Sequence, residues 1–246
     1  NWSIVFNGEI YNYKEIKEEL LLVGHQFKAH SDTEVILHAW QQWGEAMLSR
    51  FIGMFAFVIY DTHKESLFCC RDRAGVKPFY YYWENDLFLF SSELKGMMKH
   101  PAFKKEIDLD ALSAYMQFGY VPTPYCIFEN CYKLKPGHYL KLDVKTKFFT
   151  THQYWNVYDA YNKPVLEIGF EEAVTETEKL LTNAFQYRMV SDVPVGVFLS
   201  GGYDSSCVTA ILQKNNTEKI KTFTIGVPDA GLNEAPYAKE IAKHLG

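Results

Sequence analysis

The sequence VPVGVFLSGGYDSSCVTAILQ, residues 193–213, decides the fold of the second half of the chain. Its first seven residues, 193–199, are almost all apolar, which is typical of a parallel strand covered on both faces. The glycine pair that follows lets the backbone turn tightly, and residues 205–213 then predict a helix. A strand, a glycine turn and a helix in this order predict an α/β domain.

The elements predicted on either side of this stretch continue the alternation of helices and strands. A long amphipathic helix is predicted over 170–189, and a second strand over 221–227 is followed by a second helix over 235–245. Helices that alternate with short apolar strands predict a parallel sheet. Two strands are too few for a sheet that stands alone, so the sequence predicts a domain that is truncated at Gly246.

The loop at 200–206 has the composition of a phosphate-binding site. Glycines allow close backbone approach, and the start of a helix presents free N–H groups to an anion. Ser200, Ser205 and Ser206 add hydroxyls, whereas Asp204 would repel a bare phosphate, so Mg²⁺ is expected to bridge the two. The lysine of a Walker A loop is missing. The alternative is an ordinary Gly-Gly turn with serine and aspartate as helix caps.

The first half of the chain predicts a mixture of strands and amphipathic helices. Helices are expected over 14–23 and 109–118, and Ser31 with Glu34 fits the capping box of a further helix. Strands are expected over 2–6, 54–60, 66–70, 78–83, 87–91 and 138–142.

The domain boundary is predicted from a change in composition at 154–163, a polar and aromatic stretch that ends before a proline. The sequence therefore predicts a first domain over 1–160 and a second over 161–246. The first is expected to be α+β and the second α/β. Within the first domain, the adjacent Arg71 and Asp72 are expected to form a structural ion pair.

Composition excludes several classes of protein. The net charge is −5, and no basic field exists to attract nucleic acid or an anionic membrane. No apolar run approaches the roughly 20 residues that a membrane helix needs. Five cysteines at irregular spacing favour reduced thiols in the cytoplasm over disulfides. Cys126 and Cys131 lack the spacing of a zinc site.

A second group of polar residues follows the first predicted strand. The Asn7 side-chain amide and the Gly8 N–H could form a two-donor oxyanion hole, a site that stabilises a tetrahedral intermediate. The carboxylates of Glu9 and Asp32 could hold the α-ammonium group of an amino acid. On these residues alone, however, a hairpin-like turn and a helix cap are the favoured explanation.

Several strings of sequence together resemble known families. The loop at 200–206 resembles the SGGxDS pyrophosphate loop of the N-type ATP pyrophosphatases, and the whole chain resembles the glutamine-hydrolysing asparagine synthetases. RMVSDVPVG at 188–196 and FTIG at 223–226 carry this resemblance in the second half. NGEIYN at 7–12 and SDTE at 31–34 resemble the signature of class II glutamine amidotransferases.

The resemblance implies a fold and a set of site residues. The fold is an N-terminal-nucleophile glutaminase domain of αββα layering without its first strands, followed by a truncated PP-loop domain. Asn7 and Gly8 would be the catalytic oxyanion hole, and Glu9 and Asp32 would complete the glutamine site. The implied ATP site consists of Leu199, Ser200, Gly201, Gly202, Asp204, Ser205, Ser206 and Ile225, with Asp204 as the metal ligand. Tyr203 departs from the leucine that is usual in the family.

The activity that the resemblance implies is asparagine synthesis. Ammonia from glutamine would be transferred to an aspartyl-adenylate formed with ATP and Mg²⁺, giving asparagine, glutamate, AMP and diphosphate. The nucleophilic cysteine of the family stands at the mature amino terminus, whereas this chain begins with Asn1, so the polypeptide alone is expected to be inactive. The implied partners are glutamine, aspartate and ATP, and neither nucleic acid nor a membrane is expected. Assembly as a homodimer is left open by the sequence.

Three alternatives stay open at this point. The same chemistry could act on another carboxylate acceptor, such as a sugar, a peptide or a β-lactam precursor. A different pyrophosphatase-loop enzyme could adenylate a tRNA base, although the acidic charge balance argues against it. A non-catalytic relative could bind nucleotide only.

Overall fold

The structure is a computed structural model that describes residues 1–191, 193–229, 231 and 233–246. The chain forms two compact units, Asn1–Lys163 and Pro164–Gly246, each of which is described by itself. The division falls at the end of the polar stretch in which the sequence places the boundary. Asp192, which belongs to the string at 188–196, lies outside the described residues.

The first unit is built on two antiparallel sheets. Its strands are β1 (Trp2–Ile10), β2 (Gly53–Asp61), β3 (Ser66–Arg71), β4 (Tyr80–Glu84), β5 (Leu87–Ser91), β6 (Cys131–Lys133), β7 (His138–Asp143) and β8 (Phe149–Gln153). The first sheet has the order β1-β2-β3-β7-β8, and the second has the order β5-β4-β6. Strand β1 is therefore an edge of the first sheet, and β5 is an edge of the second.

Helices cover the outer face of the first sheet. The helices of this unit are α1 (Tyr13–Leu22), α2 (Asp32–Trp43), α3 (Met47–Arg50), α4 (Leu94–Met97), α5 (Leu109–Phe118) and α6 (Val157–Tyr161). Leu20 of α1 and Ile36 of α2 are fully buried in one cluster with Phe57 of β2. An amphipathic helix gains most of its stability from burying such a stripe, which explains why α1 and α2 lie on this sheet.

The opposite face of the first sheet packs against the second sheet. Val58 and Leu140 of the first sheet lie in one buried cluster with Tyr81 of β4 and with Phe79, which directly precedes β4. The far side of the second sheet is covered by α4 and by the loops around Phe103 and Cys126, which bury Tyr82. The unit is thus layered as helices, sheet, sheet, and a thinner layer of one short helix and loops.

The adjacent cysteines of β3, Cys69 and Cys70, face opposite sides of the first sheet. Cys70 lies in the cluster beneath the helices, whereas Cys69 lies in the cluster between the sheets. Successive side chains of a strand point to opposite faces, so the two thiols are separated by the sheet.

The predicted ion pair between Arg71 and Asp72 is wrong. Among the described residues, the Arg71 guanidinium donates to the backbone carbonyls of Lys77, Leu134 and Gly75 at 2.7–2.8 Å. The Asp72 carboxylate is 1% exposed and accepts backbone N–H groups. Both charges are satisfied by backbone dipoles, which the sequence pattern does not reveal.

The second unit contains α7 (Phe170–Arg188), β9 (Gly196–Phe198), α8 (Tyr203–Lys214), β10 (Lys221–Phe223) and α9 (Ala235–Leu245). Strands β9 and β10 are parallel, as expected, but they pair over Lys221↔Gly196, Thr222↔Val197 and Phe223↔Phe198 and end there. Phe198 is 77% exposed and Phe223 is 57% exposed. The expected coverage of this strand on both faces is therefore not seen in the part of the chain that the structure describes.

The structure also contains elements that the sequence patterns do not predict, namely β6, β8, α3, α4 and α6. Among the described residues, no helix combines the length and the apolar character that a membrane crossing requires.

Candidate functional site

The open edge of β1 carries the first candidate site. Gly8 stands opposite Phe55 of β2. The Phe55 N–H donates to Asp72 Oδ2 at 3.2 Å, and the Phe55 carbonyl accepts the Asp72 N–H at 2.8 Å. Both backbone groups of Phe55 therefore point away from β1, so Gly8 and Phe55 form a pair without mutual hydrogen bonds. By the same alternation, the Gly8 N–H points outward at the edge of the sheet.

Asp32 lies at the same edge. The Ile10 N–H, which has the same outward direction as that of Gly8, donates to Asp32 Oδ2 at 3.1 Å. Two residues of a strand span about 7 Å, which is the separation expected between these two N–H groups. The Ser31 side chain accepts the Glu34 N–H at 3.4 Å and begins α2, which places Asp32 in the first turn of that helix.

The Asn7 side chain faces the second sheet. Its Nδ2 donates to Ser92 Oγ at 3.0 Å, and Ser92 directly follows β5. Alternation puts the side chains of Val5, Asn7 and Glu9 on one face of β1. A cavity of about 640 Å³ opens at this face, and its polar lining comes from Asn7, Ser91, Ser92, Glu93, Lys95 and Lys99. Glu9 itself is exposed.

Gly8 cannot carry a side chain at this position. Its φ is 150°, and a Cβ would collide with the Met54 carbonyl oxygen and lie 2.7 Å from the Phe55 Cα. Strands β1 and β2 approach each other so closely here that only a glycine fits. The glycine of the motif is thus required by packing as well as by any chemistry at its N–H.

The structure accordingly places Asp32 and the Gly8 N–H along the open edge of β1, and the side chains of Asn7 and Glu9 on the adjoining face. The sequence analysis missed Ser92, because it stands 85 positions from Asn7 and no local pattern connects them. Asn12, the last residue of the motif, has a different place. It is buried, its Nδ2 donates to the Arg50 carbonyl at 2.9 Å, and its Oδ1 accepts the Ile52 N–H at 2.8 Å.

The carboxyl ends of β9 and β10 carry the second candidate site. Because the strands are parallel and Phe198 is paired with Phe223, the segments that follow them emerge at the same sheet edge. Leu199 is buried, its N–H donates to the Phe223 carbonyl at 2.9 Å, and its carbonyl accepts the Thr224 hydroxyl at 2.7 Å. Ile225, two residues after the end of β10, is exposed.

Hydroxyl groups fix the loop between β9 and α8. Ser200 Oγ and Ser205 Oγ lie 2.9 Å apart, and the Ser200 N–H donates to Ser205 Oγ at 3.2 Å. The Ser206 hydroxyl donates to the Gly202 carbonyl at 2.7 Å. Gly201 has a φ of 91°, and a Cβ there would lie 2.8 Å from Tyr237 Cβ. The loop is therefore held in one shape by its own side chains.

An anion would find suitable groups at this loop. Helix α8 begins at Tyr203 after Gly202, and the N–H groups of its first turn have no acceptor within the helix. The helix dipole adds a partial positive charge at the same end. Asp204 lies in this first turn with an exposed carboxylate. The donors suit a phosphate, and the carboxylate suits a hard cation bound to that phosphate.

Comparison with known proteins identifies the family of the first unit and finds a match for the second. A family model described as glutamine amidotransferase domain matches residues 1–155. The chain belongs to this glutamine amidotransferase domain family. A second model, described as asparagine synthase, matches residues 176–246.

Two relatives have names that combine glutamine hydrolysis with asparagine synthesis. A Methanocaldococcus jannaschii protein, provisionally named glutamine-hydrolyzing asparagine synthetase 2, is 42% identical over 98% of this chain. Glutamine-hydrolyzing asparagine synthetase 3 of Bacillus subtilis is 38% identical over 91% of it. The chain spans 46% of the length of the first relative and 36% of the second.

Among solved structures, glutamine phosphoribosylpyrophosphate amidotransferase of Bacillus subtilis aligns with this chain. The alignment covers 91% of this chain and 45% of the amidotransferase chain. The sequence identity is 18% and the TM-score is 0.43.

Proposed function

We propose that the full-length protein is a glutamine-dependent asparagine synthetase. It would hydrolyse glutamine in a first domain, 1–160, and use the ammonia in a second domain that begins at 161. The observation that carries the proposal is the order of the two family matches in one chain, amidotransferase before asparagine synthase. The finer assignments follow from it: an N-terminal-nucleophile fold for the first unit and a PP-loop fold for the second.

At the open edge of β1, the proposed chemistry is thioester formation with glutamine. A cysteine thiolate from a preceding segment attacks the side-chain amide carbon of glutamine, and the carbonyl oxygen becomes an oxyanion. Asn7 Nδ2 and the outward Gly8 N–H donate to that oxyanion. The proton that the thiol gave up passes through the α-amino group of the same cysteine to the amide nitrogen, the C–N bond breaks and ammonia leaves as the thioester forms, and water then hydrolyses the thioester to release glutamate. The outward direction of the Gly8 N–H supports this role, because a ladder bond to β2 would have used that donor.

The α-ammonium group of glutamine is assigned to Asp32 and Glu9. Asp32 is held at the edge by the Ile10 N–H, which leaves its other oxygen, Oδ1, with the weaker contact to Thr33 at 3.5 Å. Glu9 is exposed on the face it shares with Asn7. Both carboxylates lie beyond the oxyanion donors toward the carboxyl end of β1, where they would orient the substrate along the strand.

At the second site, ATP would bind with its phosphates on the loop at 200–206. Hydroxyls and first-turn N–H groups would contact the phosphates, and Leu199 and Ile225 would contact the adenosine. Mg²⁺ fits this donor set, because it is commonly held by one or two carboxylates together with phosphate oxygens, and Asp204 supplies one. Bound there, the ion supplies neutralisation of phosphate charge as the aspartyl-adenylate forms and diphosphate leaves.

The remaining assignments of the proposal are a cytoplasmic location and the substrates glutamine, aspartate and ATP. Neither nucleic acid nor membrane is a proposed partner, since the net charge of −5 gives no attraction for either. Assembly as a homodimer belongs to the same proposal.

The test is a product assay on the full-length protein. With glutamine, ATP, Mg²⁺ and aspartate, we expect glutamate, AMP, diphosphate and asparagine in equal amounts. The same assay with sugar, peptide and amino-acid carboxylates in place of aspartate determines the acceptor. If an amide forms on another carboxylate and none forms on aspartate, the protein is a related amidotransferase and not an asparagine synthetase. Nucleotide binding with no AMP release would make the protein a non-catalytic relative.

Replacing Asp204 with asparagine is expected to lower ATP-dependent AMP formation by roughly 100-fold at fixed Mg²⁺, because a neutral amide holds the cation poorly. Glutamine hydrolysis by the same variant should be retained. AMP release is measured across a Mg²⁺ titration, where the variant should require more metal. The matched control is Glu176→Gln, which removes an exposed carboxylate from α7. Equal Mg²⁺ dependence of D204N and the unmodified protein would contradict the metal role of Asp204.

A further inference from the structure

A hairpin formed by residues 121–133 places two buried cysteines opposite each other. The Lys133 N–H donates to the Pro124 carbonyl at 2.8 Å, and Tyr125 and Tyr132 form the next bridge. Cys126 and Cys131 come next on the two arms, are 1% and 2% exposed, and lie in one buried cluster. The Cα atoms of a bridged antiparallel pair are about 4.5–5.5 Å apart, so the bridge beside the cysteines holds the two arms at a separation that a disulfide can span.

The two thiols already interact. Donation from the Cys131 thiol, and from the N–H groups of Phe128 and Ile127, favours the thiolate form of Cys126. These donors, with the Lys133 ammonium nearby, lower the pKa of Cys126. The hydrogen bond to Cys126 raises the pKa of Cys131, and burial raises it further. Thiolate character belongs to the attacking sulfur in disulfide chemistry, so Cys126 has the environment of the attacker.

The other cysteines differ from this pair. Cys69 and Cys70 are buried on opposite faces of β3, and burial raises the pKa of both thiols. Cys207 is exposed in the second unit. The sequence analysis favoured separate reduced thiols because the spacing of Cys126 and Cys131 matches no motif, and only the hairpin brings them together.

We propose that Cys126 and Cys131 are a reversible dithiol–disulfide pair, oxidised by hydrogen peroxide or by a low-molecular-weight disulfide. With peroxide, the Cys126 thiolate attacks one oxygen, the O–O bond breaks, and a sulfenic acid and water form. The Cys131 sulfur then attacks the Cys126 sulfur, the S–O bond breaks, and a second water leaves. The two thiols lose two hydrogens, and the peroxide is reduced to two waters. A dithiol reductant reverses the reaction.

Access to the pair is through the edge of the second sheet. Strand β6, which carries Cys131, is an edge strand, and the flanking Tyr125 and Tyr132 are exposed. Fraying of the hairpin exposes the sulfurs while the rest of the sheet stays paired. Oxidation is therefore slower than at exposed Cys207, and the link, once formed, ties the two arms of the hairpin together.

The test is peptide mapping of the full-length protein after treatment with hydrogen peroxide and alkylation of the remaining thiols. Tryptic cleavage leaves both cysteines in the peptide 106–133, and cleavage after Glu129 separates them. We expect the fragments 107–129 and 130–133 to stay joined until a dithiol is added. Free, alkylated Cys126 and Cys131 after oxidation that has consumed Cys207 would overturn the proposal.

Single variants test which sulfur attacks. In Cys131→Ser, which keeps a hydroxyl donor to Cys126, dimedone should trap a sulfenic acid at Cys126. In Cys126→Ser, we expect at least tenfold less label at Cys131. Cys207→Ser is the matched control and should keep the link between the two fragments. Equal labelling of both single variants would contradict the assignment of the attacker, and loss of the link in C207S would show that the exposed thiol supplies the oxidising equivalent.

Discussion

Replacing Asp72 with asparagine is expected to destabilise the first unit by about 4 kcal/mol, although the two side chains have nearly the same shape. The Asp72 carboxylate is buried and accepts four backbone N–H groups, two on each oxygen. Asparagine has one oxygen, so its NH₂ group would face two N–H donors. Two charge-assisted hydrogen bonds are lost and two buried donors are left unsatisfied, at about 1.5–3 kcal/mol each.

The measurement is urea unfolding of the 246-residue chain followed by tryptophan fluorescence. All five tryptophans precede residue 164, so the signal reports on the first unit alone. The matched control is Asp143→Asn, where one oxygen, Oδ1, accepts both the Lys145 and Thr146 N–H groups at 2.9 Å. The asparagine oxygen can keep both bonds, so the midpoint of D143N should stay close to that of the unmodified chain. A D72N midpoint as high as that of D143N would contradict the role of Asp72.

Asp72 also affects the backbone at the edge of β1. Its carboxylate and N–H hold both backbone groups of Phe55 and so turn them away from Gly8. This leaves the Gly8 N–H directed outward. A buried carboxylate that binds no substrate thus determines the direction of a proposed catalytic donor. The sequence predicts a structural role for Asp72 as half of an ion pair; the structure keeps the structural role but gives it to hydrogen bonds with backbone N–H groups.

Helices were predictable wherever their ends carried strong local signals. Helix α5 has the predicted bounds, because Asp108 accepts the Ala111 N–H at 2.9 Å at one end and Gly119 adopts a left-handed conformation at the other. Strand ends were less predictable. The apolar run at 193–199 continues beyond β9, because the ladder is limited by its three pairs with β10 and apolarity alone does not fix a strand end.

The candidate site was predictable as a set of residues but not as a geometry. Asn7, Gly8 and Asp32 follow from short motifs, and the structure places them at one edge. Their assembly depends on contacts between distant segments, such as Ser92 with Asn7 and Asp72 with Phe55. Such contacts arise from sheet packing, which leaves no periodic signal in the sequence. The burial of Cys126 and Cys131 in one cluster beside the Tyr125–Tyr132 bridge is a further example.

Replacing Asn7 with alanine in the full-length protein is expected to lower glutamine hydrolysis by roughly 100- to 1,000-fold, the usual loss when one oxyanion donor is removed. The loss should fall on kcat rather than on KM, because the donor acts on charge that develops in the transition state. Asparagine synthesis from added ammonium, which bypasses the first unit, should be retained. Glutamate release and amide formation are measured on the same preparation.

Two companion variants make this result interpretable. Ser92→Ala removes the acceptor of the Asn7 Nδ2 hydrogen bond at 3.0 Å but leaves the donor itself, so its loss of hydrolysis should be only about fivefold. Asn162→Ala removes an exposed amide after α6 and should have no effect. Unchanged hydrolysis by N7A would remove Asn7 from the oxyanion hole. Equal loss of the ammonium-dependent reaction would instead mean that the side chain supports the fold, since only a donor specific to glutamine chemistry can separate the two activities.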